Sequence, residues 1–137
     1  MTLEIAGAGT ESAAEVIQGM ERAWNDGDSQ RFTSYFAEDA DLVNIHGMRV
    51  HGRESIAVLY GLLFRGVFAY SRMNCNVSRS RRLCDDSELL QLRVAIRVRM
   101  GQMAGDHDVM SSVVLRRKKT EWQVASLQNT LIGPATF

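Results

Sequence analysis

The sequence predicts an α+β domain, with helices first and a run of antiparallel strands after them. Three observations point there. Apolar residues recur at helical spacing in the first half, apolar and polar residues alternate after Ala69, and turn-forming residues divide that second half into several strands.

The chain has 137 residues, 45% of them hydrophobic and 23% charged, with a single proline. That is the length of one domain and the composition of a globular chain able to bury a core. Residues 1–11 read as a flexible N-terminal tail rich in Gly, Ala and Thr, and 12–137 as a single domain.

Ser12 and Glu15 have the spacing of a capping box, and Ala13, Val16, Ile17, Met20 and Trp24 follow as one helical stripe. This first helix should end near Asn25, before Gly27. Asp28 then caps a short second helix with Phe32, Tyr35 and Phe36 on one face, and Glu38-Asp39-Ala40-Asp41 reads as an acidic turn. From Asp41 to Ile45 the pattern is strand-like. The segment from His46 to Gly52 reads as a tight hairpin or crossing loop closed by glycines. Beyond it Ile56, Leu59, Tyr60, Leu63 and Val67 mark a third, buried helix.

After Ala69 the strands begin. The clearest places Leu90, Leu92, Val94, Ile96, Val98 and Met100 on one face and Gln91, Arg93, Arg97 and Arg99 on the other. Two more are expected at about 107–117 and 122–131, with turns at 83–87, 101–105 and 118–121.

Several function classes drop out. The longest apolar run, 56–63, is far short of the roughly 20 residues a bilayer requires. The N-terminus lacks the basic and apolar stretches of a secretory leader, so no membrane association and a cytoplasmic location are expected. Cys75 and Cys84 form no CxxC pair, and no metal and no cofactor are expected. P-loop, dinucleotide-fingerprint, nucleophile-elbow and zinc-protease motifs are absent.

Acidic and basic residues total 16 each, yet residues 1–60 carry ten acids against four bases and 61–137 carry six against twelve. In one small domain this predicts an acidic helical layer and a basic sheet. The clusters at 79–82 and 116–119 read as solvated hairpin ends, and no nucleic-acid partner is expected.

Four strings together resemble the nuclear transport factor 2-like superfamily, in its SnoaL-like and ketosteroid-isomerase-like branch. They are Trp24-Asn25-Asp26-Gly27-Asp28, Phe36-Ala37-Glu38-Asp39-Ala40-Asp41, His51-Gly52-Arg53-Glu54-Ser55-Ile56, and Trp122 to Ala125 with Gln128-Asn129-Thr130. The last is most similar to the SgcJ/EcaC-like subgroup. The resemblance implies a cone, a curved antiparallel sheet wrapped around the helices with a ligand pocket at its open end, in a chain that pairs as a homodimer.

It also implies where chemistry should sit. The position of the isomerases' carboxylate base falls on Asn44, and that of their oxyanion-hole phenol on Met20. Neither residue can do that work, so steroid isomerisation by the family's mechanism is not expected. Tyr60 and Asn129 match pocket positions, and Trp24 and Met20 belong to the helical stripe that would close the cone. Asn44 and His46, two apart on a strand, should share the pocket face, which leaves His46 as the candidate general base.

Arg72 and Asn74 share a strand face and complete the candidate pocket as contacts for an anionic or oxygenated substrate. Each has a structural alternative: Asn44 and Asn129 as buried amides serving backbone, His46 as a turn residue, Tyr60 as core, Arg72 and Asn74 as a solvated edge. His107 and Asp108 are adjacent on a strand, hence on opposite faces, and are left outside the site.

The expected function is binding of a small apolar carbonyl compound, with cofactor-free acid/base chemistry of cyclase, isomerase or dehydratase type as its catalytic form. The alternative is a non-catalytic ligand-binding or protein-association module.

Overall fold

A computed structural model describes residues 12–133. The expected tail at 1–11 lies outside the described residues. The elements are α1 (Ala13–Asn25), α2 (Ser29–Ser34), β1 (Phe36–Val43), β2 (Arg49–His51), α3 (Arg53–Arg65), β3 (Arg72–Cys84), β4 (Ser87–Val98), β5 (Gly105–Lys118) and β6 (Glu121–Leu131).

The strands form one curved, unclosed six-stranded sheet in the order β2-β1-β6-β5-β4-β3. Every pairing is antiparallel except β1 with β6, which is parallel. Among the described residues, no helix is long and apolar enough to cross a membrane.

Helix α1 starts on the Ser12–Glu15 capping box, in which each side chain receives the other's backbone N–H. Its apolar stripe, Val16, Ile17, Met20 and Trp24, is buried against the sheet. Asn25 then ties the helix end to β3. Its Nδ2 donates to the Met73 carbonyl at 2.9 Å, and its Oδ1 accepts from the Met73 N–H at 2.7 Å, so one side chain stands in for a strand neighbour.

Gly19 is the point of closest approach on this helix. A Cβ there would lie 2.2 Å from Tyr35 Oη and 2.6 Å from Cζ, inside the ring's van der Waals surface. Gly19→Ala therefore lowers stability by roughly 1–2 kcal/mol, overpacking outweighing the better helix propensity of Ala. Urea unfolding measures it, and shortening Tyr35 to Leu should recover part of the loss.

Two expectations about this half need correcting. Helix α2 ends at Ser34, so Tyr35 and Phe36 are not part of its face, and the acidic segment Glu38–Asp41 is not a turn but the middle of β1. Ala40 and Leu42 point into the core while the acids face outward. Their charge is held by distant arginines: Asp39 accepts from Arg116 at 2.8 Å, and Glu38 lies 3.9 Å from Arg53.

Helix α3 buries Ile56 and Tyr60 but leaves Val58 and Leu62 exposed, so it is one wall of the core and not a fully buried element. It stops at Arg65, short of Val67, because Gly66 breaks the helix there.

Part of the outer face of the sheet is neutralised by ion pairs between strands. Arg93 pairs with Asp108 at 3.2 Å and Arg97 with Asp106 at 2.7 Å, both between neighbouring strands. The basic segment 79–82 lies along the exposed end of β3, and Arg117 pairs with Asp86 across the hairpin ends.

Candidate functional site

Curvature and side-chain alternation together build a cavity between the helices and the inner face of the sheet. Its volume is about 260 Å³. Because cross-strand partners share a face, strand register reads off its wall level by level.

The innermost level is apolar: Leu42 and Leu127 line it, and Val113 and Leu90 continue the same row into the core across β5 and β4. The next is polar. Ser111 faces Asn129, and Asn44, one residue past the Val43–Gln128 pair, falls beside Asn129. The third returns to apolar residues, with Leu131, Val109, Val94 and Cys75 in line. The fourth carries His107 beside Ile96 and Met73. Toward this end the lining residues become exposed, Met103 by 37% and Leu131 by 47%, whereas Leu42 is 1% exposed, so the mouth lies here.

The helices close the other side with aromatic rings. Trp24 packs edge-on against Phe32 at 5.3 Å, Phe64 at 4.8 Å and Tyr60 at 6.1 Å. Its indole N–H donates to Ser71 Oγ at 2.9 Å, and Ser71 in turn donates to the Phe68 carbonyl.

No charged side chain lines the cavity among the described residues. What decides its chemistry is which polar valences the fold has already used. Asn44 Oδ1 accepts from the backbone N–H groups of His46 and Met48, both at 2.9 Å, which fixes the turn after β1. Asn129 Oδ1 accepts from the Ser111 hydroxyl. The Asn44 carbonyl is thus fully used and the Asn129 carbonyl is engaged by Ser111, while both amide NH₂ groups stay available as donors.

The Tyr60 hydroxyl has no hydrogen-bond partner among the described residues, and burial alone pushes its pKa up to about 12. It stays protonated and is a third donor. Cys75 is likewise held as a thiol, at about 12, by burial first and by the nearby Glu21 carboxylate second.

Of the residues expected in the site, Met20, Trp24, Asn44, His46, Tyr60 and Asn129 line this cavity. His46 does so from the exposed turn after β1, with its backbone N–H on Asn44. Arg72 and Asn74 do not. They project from the outer face of β3, where Arg72 stands opposite Arg97 and Asn74 accepts from Asn76, while Met73 and Cys75 take the inner face. The alternation of Met73, Cys75 and Val77 against Arg72, Asn74 and Asn76 carried that signal.

His107 was missed. It lines the cavity with Val109 and Ser111, on the same parity of β5, while Asp108 points outward to Arg93. Among the described residues, no three His, Cys, Asp or Glu side chains converge to hold a metal ion.

Neither a protein-family model nor a curated protein matches the sequence. Solved structures do. An uncharacterized protein with a cystatin-like fold from Caulobacter vibrioides superposes with a TM-score of 0.80 at 22% identity, over 93% of this chain and 92% of that one. A ketosteroid isomerase-like protein from Erwinia carotovora atroseptica gives 0.75 at 15% identity, over 98% and 100%. An NTF-2 like protein of unknown function from Shewanella oneidensis gives 0.73 at 12%, over 85% and 94%. The chain therefore has the cystatin-like fold shared by NTF-2 like and ketosteroid isomerase-like proteins.

Proposed function

We propose that the cavity binds a small, uncharged, largely apolar molecule bearing a carbonyl oxygen. The observation that carries this reading is the pattern of unspent hydrogen-bond valences: an apolar wall without charge, and the amide NH₂ groups of Asn44 and Asn129 plus the Tyr60 hydroxyl as donors. An ionic ligand would lose its hydration with no counter-charge to receive it. A carbonyl oxygen accepts from such donors and leaves the rest of the molecule to the aliphatic and aromatic wall.

In its catalytic form the same arrangement supports cofactor-free proton transfer. An imidazole, His46 by the sequence argument, takes a proton from the carbon next to the carbonyl, and the electron pair moves onto the oxygen, where the donors hold it. Asn44 and Met20 stand where the isomerases' base and phenol would be, so ligand binding without turnover is the rival form of the same reading.

Acetophenone and ethylbenzene, nearly equal in size, test it by thermal shift. Acetophenone should raise Tm with concentration and ethylbenzene should do so less. Losing one neutral hydrogen bond, Asn129→Leu or Tyr60→Phe should weaken acetophenone by roughly three- to tenfold. Equal shifts from both compounds, or none at millimolar concentration, would overturn the reading.

A further inference from the structure

The fourth level of the wall holds a fixed acceptor near the mouth. His107 Nε2 lies 2.6 Å from the Met103 carbonyl oxygen. A carbonyl only accepts, so Nε2 carries the proton, and in the neutral ring Nδ1 keeps its lone pair. At the amide level the Asn44 and Asn129 NH₂ groups are the donors free to meet a carbonyl oxygen. His107 and Ser111 lie four residues apart on one strand without a bulge between them, a separation of ~13 Å along β5. Between them the wall is apolar, formed by Val109 and its neighbour Val94.

We infer that the cavity selects an elongated, two-ended ligand: a carbonyl oxygen at the Asn44–Asn129 level, an apolar middle, and a hydroxyl or other donor near the mouth at His107 Nδ1. The physical reason is exchange with water. His107 is half-exposed at the mouth, where a group such as Nδ1 exchanges its hydrogen bonds with solvent. A ligand long enough to displace solvent there must donate in its place or lose the hydrogen bond. A short ketone stops before the mouth and leaves it hydrated.

The inference rests on the cavity's being a ligand site, and calorimetry separates the two claims. The probes are straight-chain methyl ketones with and without a terminal hydroxyl, in a length series bracketing the ~13 Å span. In the unmodified protein the hydroxyketone of matching length should bind about three- to tenfold tighter than its plain ketone, with the advantage lost at shorter lengths.

His107→Phe, which keeps the bulk and removes the lone pair, should abolish the advantage of the hydroxyketone over its plain ketone. If plain and hydroxylated ketones bind equally at every length, the two-ended inference is overturned and the carbonyl site stands. If no ketone binds, both fall. The comparison within the unmodified protein decides the matter even if the His107 variant folds poorly.

Discussion

Trp24→Ala is expected to cost about 3–5 kcal/mol, the range for removing a buried large aromatic side chain. Trp24 is only 4% exposed and touches the helices and the loop before β3 at once: Phe32 from α2, Tyr60 and Phe64 from α3, and Phe68 and Ser71 beyond them. Its edge-on ring pairs add to the area term.

Since domains of this size are stable by about 5–15 kcal/mol, the variant should lose much of its margin. Urea unfolding followed by far-ultraviolet ellipticity should show a lower midpoint at unchanged slope. Trp24→Phe should fall between, because it restores ring packing but not the hydrogen bond to Ser71. A loss below about 1 kcal/mol for the alanine variant would mean that the aromatic cluster does not hold the helices to one another.

The second large effect is alkaline instability. Tyr60 and Cys75 both titrate near 12 in the folded chain, against ordinary values of 10.0 and 9.0. Groups with raised folded pKa values contribute fully below the unfolded value and lose that contribution as pH rises toward the folded one. The unfolded chain releases the Cys75 proton from about pH 9 and the Tyr60 proton from about pH 10, while the folded chain retains both. Unfolding therefore becomes easier across pH 9–12, each group contributing up to about 1.4 kcal/mol per unit within its own window.

Tyr60→Phe should flatten the fall above pH 10. At neutral pH it should cost little or be mildly stabilising, since it removes a buried hydroxyl that has no partner among the described residues. The same change should weaken ketone binding. A residue that harms ligand affinity but not stability when truncated is what a site residue looks like.

Local rules made much of the fold legible. The Ser12–Glu15 capping box, the stripe from Val16 to Trp24 and the alternation along β4 each depend on neighbours in the chain. What escaped depended on partners far away. The acids of β1 look like a turn until Arg116, 77 residues on, is seen to hold Asp39. The parallel pairing of β1 with β6 joins the first and last strands of the sheet, which no local pattern encodes.

The site followed the same division. Spacing and resemblance point Asn44, Tyr60 and Asn129 at the cavity, whereas the polar chemistry of Arg72 and Asn74 misleads, since alternation along β3 turns both outward. His107 has no partner in its neighbour Asp108, yet its own parity on β5 places it with Val109 and Ser111. Which asparagine atoms remain free could not be read from sequence at all. It depends on a turn hydrogen bond and on a hydroxyl from the neighbouring strand.

The most direct test of the cavity as a carbonyl-binding site is a nitrogen-15 correlation spectrum of the protein titrated with acetophenone, with the side-chain NH₂ resonances of Asn44 and Asn129 assigned. Both pairs should shift and saturate together with the backbone amide of Ser111, while outer-face amides such as Arg93 and Arg97 stay in place. Unmoved asparagine side chains at saturating ketone, or shifts confined to the outer face, would contradict the account.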